Sequence, residues 1–141
     1  MSHKALIQRY LDCWQSGAVA DFAAILAPDF IDHSHPDWKP GPAGLQANAA
    51  AFQRAFSDVR CVVGQMIEEG DRVAFQAEIQ ATHTGRFGPF APTDKRVTYG
   101  GIEIARIVDG RIVELWGAAN LLDWVQQLGA QIQLLAAPPD A

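Results

Sequence analysis

The apolar residues of this chain change their spacing near its middle. Between residues 3 and 16 they recur every three or four positions, as on one face of an α-helix, and Gly17 follows as a C-cap. From residue 59 onward they alternate with polar residues, as in strands with one buried face. Helices followed by hairpins predict an α+β fold in which the helices cover one face of a curved antiparallel sheet.

The same two patterns predict the remaining elements. Pro28 disfavours helix at the preceding residue, so a short second helix is expected to end before it. The predicted helices are residues 3–16, a short helix with Phe22, Ile25 and Leu26, a third helix marked by Leu45, Ala49, Phe52 and Phe56, and a closing helix over 121–128. The predicted strands are Phe30 to Ile31, a hairpin over 59–81 with its turn at Glu68 to Asp71, and a second hairpin from about Arg96 to Ala118. We expect a single domain over residues 1–135 and a frayed tail over 136–141.

Length and charge narrow the class of protein. A chain of 141 residues suffices for one domain with its own core. Its net charge is −5 and it has no basic block, so nucleic acid and anionic membrane surfaces are not expected as partners. It has no signal-type segment at Met1–Lys4 and no apolar run near the roughly 20 residues that span a bilayer, so we expect a soluble, cytoplasmic protein. Small molecules or another protein remain as partners. Cys13 and Cys61 lack metal or redox spacing and are expected to be free, buried thiols.

The dipeptide Asp109-Gly110 predicts a two-residue hairpin loop, which sets the register of its two strands if no bulge intervenes. This register pairs Glu103 with Trp116. One face would then carry Tyr99, Gly101, Glu103, Ala105, Glu114, Trp116, Ala118 and Asn120. The other face would carry Ile102, Ile104, Val113 and Leu115. The mixed aromatic and polar face is typical of a ligand pocket, and a merely solvated face is the alternative.

His83 ends the strand whose odd-numbered residues are apolar, so its imidazole is expected to point inward. A histidine at such a position can orient a carbonyl group or transfer a proton near neutral pH. The alternative is a core histidine that is satisfied by the backbone.

The segment Asp32-His33-Ser34-His35 invites a metal hypothesis. Residues at i and i+2 of an extended segment point to opposite sides, so His33 and His35 are not expected to share a metal ion. We predict no metal site. His33 is a candidate pocket residue, with a loop-capping hydrogen bond as the alternative, and Asp32 and Asp37 are expected to be turn residues.

The segment from Glu114 to Asn120, followed by Gln126 to Gly129, resembles the E-x-W-x-x-x-D signature and the Q-L-G of the SnoaL-like polyketide (ester) cyclases. Other segments resemble the same family in order and spacing: Phe30 to His33, Ala55 to Asp58, Ile67 to Ala74, Ala81 to Gly88 and Ala91 to Val97. The resemblance covers roughly residues 28–129. It implies the nuclear-transport-factor-like fold, a cone-shaped domain in which a bent sheet encloses a pocket.

The resemblance implies the reaction of the characterised members of that family. This reaction is a cofactor-free intramolecular aldol condensation in which the strand-end Asp acts as acid and base. Here that position is Asn120, and a neutral amide does not take up a proton near pH 7. Either His83 acts as the base and Asn120 as a neutral donor, which we prefer, or Glu103 acts with a raised pKa. The candidate catalytic residues are therefore His83, Asn120 and Glu103, and the candidate substrate-binding residues are His33, Trp116, Tyr99 and Phe87.

The sequence thus predicts a cofactor-independent SnoaL-like polyketide cyclase, or a related lyase or isomerase, that acts on a hydrophobic carbonyl compound. The absent Asp favours the alternative of a non-catalytic small-molecule-binding domain. A different reaction, such as epoxide hydrolysis or hydroxylation, is a third hypothesis. Homodimerisation through the outer sheet face is common in the superfamily and is expected here. The stripe of Ile102, Ile104, Val113 and Leu115 is expected either to serve this interface or to pack on a helix.

Overall fold

This computed structural model describes residues 1–140, which contain four α-helices and five strands. The helices are α1 (His3–Ser16), α2 (Phe22–Ile25), α3 (Ala43–Ala55) and α4 (Leu121–Gln127), and a 3₁₀ turn, Val19–Asp21, precedes α2. Helix α1 begins where the Ser2 hydroxyl accepts a hydrogen bond from the backbone N–H of Ala5 and ends at Gly17, whose φ is 77°. All four predicted helices are confirmed to within a few residues.

The strands form one sheet in the order β1-β5-β4-β3-β2. They are β1 (Leu26–Asp32), β2 (Phe56–Glu69), β3 (Arg72–His83), β4 (Arg96–Val108) and β5 (Arg111–Ala119). Strands β2 to β5 are antiparallel, as predicted, but β1 pairs with β5 in parallel, so the sheet is mixed. Leu26, which was expected in the second helix, instead begins β1 and pairs with Ile112.

A bulge at Val113 changes the faces of the last hairpin. The loop is as predicted, with Val108 opposite Arg111, but the register shifts by one residue before Glu114, which lies opposite Arg106. Glu103 therefore faces Gly117 instead of Trp116, and the predicted common face of Glu103 and Trp116 is wrong. The stripe predicted on the other face is also divided, because Leu115 is buried on the inner face while Ile102 and Ile104 are exposed.

The inner face of the sheet packs against the helices. It carries the odd-numbered residues of β3 and β4, and the core divides into two clusters along it. The first cluster joins α1, α2 and β1 to one end of the sheet. The second joins α3, α4 and the ends of β3 and β4 and is rich in aromatic residues: Phe52, Phe56, Phe87, Phe90, Tyr99 and Trp124. Bulges in the β2–β3 pairing at two places bend the sheet around these helices.

Residues 131–140 form neither helix nor strand. Ala141 lies outside the described residues, so the predicted fraying of the tail stays a prediction. Cys13 and Cys61 are free thiols, and Cys61 is only half-buried. No helix within residues 1–140 has the length and apolar character needed to cross a membrane.

Candidate functional site

Glu103 lies at the centre of the inner face of β4. It is opposite Gly117, and a Cβ at Gly117 would come within 3.1 Å of its Cγ, so the glycine leaves room for the acidic side chain. Its Oε2 is buried and has no hydrogen-bond partner. Burial, and secondarily the charge of Asp32, raises the pKa of Glu103 from 4.5 to about 7. This carboxyl group therefore exists in both protonation states near neutral pH.

Asp32 reaches the same region from the end of β1. It pairs with Leu115, whose side chain is buried on the inner face. Its Oδ1 accepts a hydrogen bond from the backbone N–H of Ser34 at 2.9 Å, and its Oδ2 lies 3.1 Å from Nδ1 of His35. The predicted turn role of Asp32 is therefore confirmed, but its charge also acts on Glu103.

The turn after β1 also contacts the backbone beside Glu103. The Ser34 hydroxyl donates to the Gly117 carbonyl at 3.3 Å. A Cβ at Gly117 would lie 3.5 Å from that hydroxyl and 3.8 Å from Cδ of Glu103, so the two side chains share one site on the inner face. Gly117 is exposed and Glu103 only half-buried, so solvent reaches this part of the face.

Two tyrosines complete the cluster. Burial raises the pKa of Tyr10 on α1 well above its usual value, and the nearby Glu103 raises it further, although a hydrogen bond with Trp14 opposes this. Burial likewise raises the pKa of Tyr99, with contributions from Glu103 and Asp32. Both phenols are therefore neutral near pH 7 and can donate hydrogen bonds. We call Tyr10, Asp32, Tyr99 and Glu103 the inner acidic cluster.

His83 points inward, as predicted, and none of its surface is exposed to solvent. Its Nδ1 accepts a hydrogen bond from the backbone N–H of Thr93 at 3.3 Å, so the proton lies on Nε2, which has no partner. Burial lowers its pKa below the usual value, although the Gly85 backbone and Asp94 oppose this. The imidazole stacks on Phe56 with a centroid distance of 5.0 Å. His83 thus belongs to the aromatic cluster, and its burial favours the neutral imidazole.

Asn120 connects helix α4 to the end of β4. Its Oδ1 accepts a hydrogen bond from the backbone N–H of Gly100 at 3.0 Å. Its Nδ2 donates to the Asp123 carboxylate at 3.1 Å and to the Thr98 carbonyl at 3.5 Å. The amide uses both its donor and its acceptor within the fold.

Trp116 and His33 lie together on the outer face. Their rings stack with a centroid distance of 4.7 Å and an interplanar angle of 3°. The guanidinium carbon of Arg72 lies 5.2 Å from the centroid of the Trp116 ring. Because Trp116 is opposite Ile104, whose side chain is exposed, this group faces away from Glu103.

The family model of the SnoaL-like polyketide cyclases matches residues 4–128. The chain belongs to the SnoaL-like polyketide cyclase family. No curated protein matches the chain significantly.

Solved structures support the fold of this SnoaL-like domain. TsrD from Streptomyces laurentii has a TM-score of 0.84 at 21% identity, over 93% of this chain and 99% of that one. AclR from Streptomyces galilaeus, a proposed hydroxylase, has a TM-score of 0.77 at 29% identity, over 89% and 94% of the two chains. IdmH from Streptomyces antibioticus, a proposed polyketide cyclase, has a TM-score of 0.75 at 25% identity, over 90% and 98%. The predicted cone-shaped, nuclear-transport-factor-like fold is confirmed, and the pocket expected within the bent sheet stays a prediction.

Of the predicted site residues, only Glu103 and Tyr99 lie in the inner acidic cluster. Tyr99 also packs in the aromatic cluster, to which His83 and Phe87 belong. Asn120 lies at the start of α4, and His33 and Trp116 lie on the outer face. Sequence reasoning missed Tyr10 and the electrostatic role of Asp32, because a tyrosine on an apolar helix face and an acid in a turn both have ordinary structural explanations. Within residues 1–140, no three His, Cys, Asp or Glu side chains are placed to hold a metal ion.

The cluster has the components of proton transfer. Glu103 offers a carboxyl group that titrates near neutral pH, and its charge acts on the buried hydroxyl of Tyr10. Removal of a proton next to a carbonyl group requires a base and a hydrogen-bond donor, and Glu103 and Tyr10 are groups of these two kinds.

Proposed function

We propose that this SnoaL-like domain is a cofactor-independent acid/base enzyme that closes a ring in a hydrophobic carbonyl compound by aldol chemistry, with Glu103 as its catalytic residue. The observation that carries the proposal is the buried, unpartnered Oε2 of Glu103 on the inner face. A pKa of about 7 gives this group the basicity that the usual acid at the position of Asn120 would otherwise supply.

The reaction needs one proton to move out and back. The Glu103 carboxylate takes a proton from the carbon next to a carbonyl group, and Tyr10 donates a hydrogen bond to the resulting enolate oxygen. The enolate carbon then forms a bond to a second carbonyl carbon of the same molecule, and the new alkoxide takes the proton back from Glu103. The charge of Asp32 makes Glu103 a stronger base but does not itself take part.

The first half of this reaction can be tested with α-tetralone, a bicyclic ketone, as the probe. Exchange of its α-protons in heavy water, followed by proton NMR, should be accelerated by the protein, and the rate should rise as the pH increases through 7, where Glu103 ionises. The variant Glu103→Gln should lose roughly 100-fold or more of the acceleration. Glu78→Gln, which changes an exposed carboxylate on the outer face of β3, is the matched control and should keep the wild-type rate.

His83→Ala separates Glu103 from the histidine that the sequence favoured. If Glu103 is the base, this variant should retain exchange, provided that its circular dichroism shows a folded protein. If folded His83→Ala lost exchange while Glu103→Gln kept it, His83 and not Glu103 would be the base. A product that has gained an oxygen atom would instead favour hydroxylation, the activity proposed for AclR.

A non-catalytic binding domain is the second candidate, and the hydrogen bonds of Asn120 favour it. Its amide is engaged with the backbone of β4 and with Asp123, which supports a structural role for the position of the family's acid. If the domain only binds ligands, α-tetralone should bind to the wild-type protein, but neither the wild type nor any variant should accelerate exchange.

We also propose that two copies associate through the outer face of the sheet. This face exposes isoleucines on two strands: Ile102 is 56% exposed and Ile67 is 63% exposed. Ile102→Asp should convert a dimer into a monomer in light scattering after size exclusion, whereas Ile132→Asp, outside the sheet, should leave it dimeric. A wild-type monomer at all concentrations would contradict this proposal.

A further inference from the structure

A surface groove lies between the end of helix α3 and the loop that follows β3. The backbone N–H groups of Thr84 and Gly85 both donate to the Ala55 carbonyl, at 3.0 and 2.9 Å. A Cβ at Gly85 would collide with the Arg54 carbonyl oxygen, so only a glycine permits this close approach. Arg54 and Arg86 adjoin the two backbone segments that meet here, and both line the groove.

The floor of the groove is apolar and held in a fixed conformation. Phe87 and Phe90 exchange two backbone hydrogen bonds, each of 2.9 Å, across a turn in which Gly88 has a φ of 55°. The Phe87 ring is held from behind by Phe56, at a centroid distance of 5.2 Å. The open groove has a volume of about 510 Å³ and is lined by Ala51, Arg54, Arg86, Phe87, Gly88, Pro89 and Phe90. This volume is that of a small-molecule site.

The charge of the groove is unbalanced. Arg72, Arg96 and Arg106 each lie within 4.0 Å of a carboxylate. Among residues 1–140, neither Arg54 nor Arg86 has such a partner, and no acidic residue lines the groove. In a chain with net charge −5, two guanidinium groups beside aromatic carbon form a local positive site.

We propose that this groove binds a small amphipathic carboxylate, with the carboxylate on Arg54 and Arg86 and the apolar body against Phe87, Pro89 and Phe90. Guanidinium groups bind carboxylates with paired N–H donors, and aromatic walls bind a flat apolar body. Glu103 does not line the groove, so the proposal does not depend on the reaction proposed above.

Calorimetric titration with 2-naphthoate tests the proposal. Arg54→Gln and Arg86→Gln, which remove one charge each and keep most of the side chain, should each weaken binding by about fivefold. The neutral analogue 2-naphthamide should bind about tenfold more weakly than the acid. Arg60→Gln, which removes an exposed charge from β2, is the matched control and should bind as wild type does. Amide NMR shifts at Ala51 and Gly88 should localise the ligand to the groove.

Several results would overturn the proposal. Equal affinity in Arg60→Gln and Arg86→Gln would show that net charge alone matters. If inorganic phosphate bound to the groove as well as 2-naphthoate does, the aromatic floor would not contribute to binding. Loss of binding in Glu103→Gln, with the arginine variants unaffected, would place 2-naphthoate in the inner acidic cluster and leave the groove without a ligand.

Discussion

Replacing Glu103 by glutamine should make the protein more stable at alkaline pH. A carboxyl group whose pKa is raised by folding stabilises the fold below its usual pKa and loses that contribution as the pH rises through the folded value. For Glu103 the window runs from 4.5 to about 7, which corresponds to about 3 kcal/mol. Glutamine has nearly the same shape and never ionises, so the variant avoids this loss.

The measurement is urea unfolding of wild type and Glu103→Gln at intervals between pH 4 and pH 9. The stability of the variant relative to wild type should increase by about 3 kcal/mol across this range and level off above pH 7, which is roughly 10 °C in Tm. Glu78→Gln, on the solvent side of the sheet, should show no such increase. A difference between Glu103→Gln and wild type that is constant from pH 5 to pH 8 would refute the burial and charge argument for this residue.

Three further substitutions test separate parts of the structure. Asp32→Asn should lower the midpoint pH of the stability change that Glu103 ionisation causes, but not as far as 4.5, because burial is the larger cause of the raised pKa of Glu103. The same urea series measures this midpoint. An unchanged midpoint would contradict the electrostatic effect of Asp32 on Glu103. Gly101→Ala should cost about 3 kcal/mol or more in urea unfolding, because a Cβ there would lie 2.7 Å from the Cα of Ala119 on β5; a cost below that of an ordinary surface change would contradict the close approach. Asn120→Asp should cost about 1 to 3 kcal/mol at pH 7, because a second carboxylate would face Asp123, and should regain much of this at pH 4; equal stability at both pH values would contradict the hydrogen-bond arrangement.

The elements that the sequence predicts well are those that local spacing decides. Helix α1 has both its apolar stripe and its C-cap glycine, and the last hairpin has Asp109 and Gly110 in its turn. The parallel pairing of β1 with β5 has no comparable signal in the sequence. The two strands are about 80 residues apart, and the apolar pattern of neither strand identifies its partner. Long-range pairing therefore required the structure.

The face of Trp116 shows how one residue can reverse a site prediction. In a regular strand, Ile112 and Leu115 would lie on opposite faces, since their spacing is odd. Both are buried on the inner face, which only a bulge between them permits. Two adjacent apolar residues, Ile112 and Val113, are the sole sign of it in the sequence. The bulge moves Trp116 to the outer face and leaves Glu103 over Gly117.

The hydrogen bonds of Asn120 explain why an amide, and not the acid of the family signature, occupies this position. It accepts from the Gly100 N–H and donates to Asp123 and the Thr98 carbonyl, so the site requires a donor and an acceptor on one side chain. An ionised aspartate supplies only acceptors and would face a second carboxylate. The amide is therefore the side chain that suits this position, and the proton transfer proposed for this domain needs another group. Glu103 is the carboxyl group on the inner face whose pKa of about 7 meets that requirement.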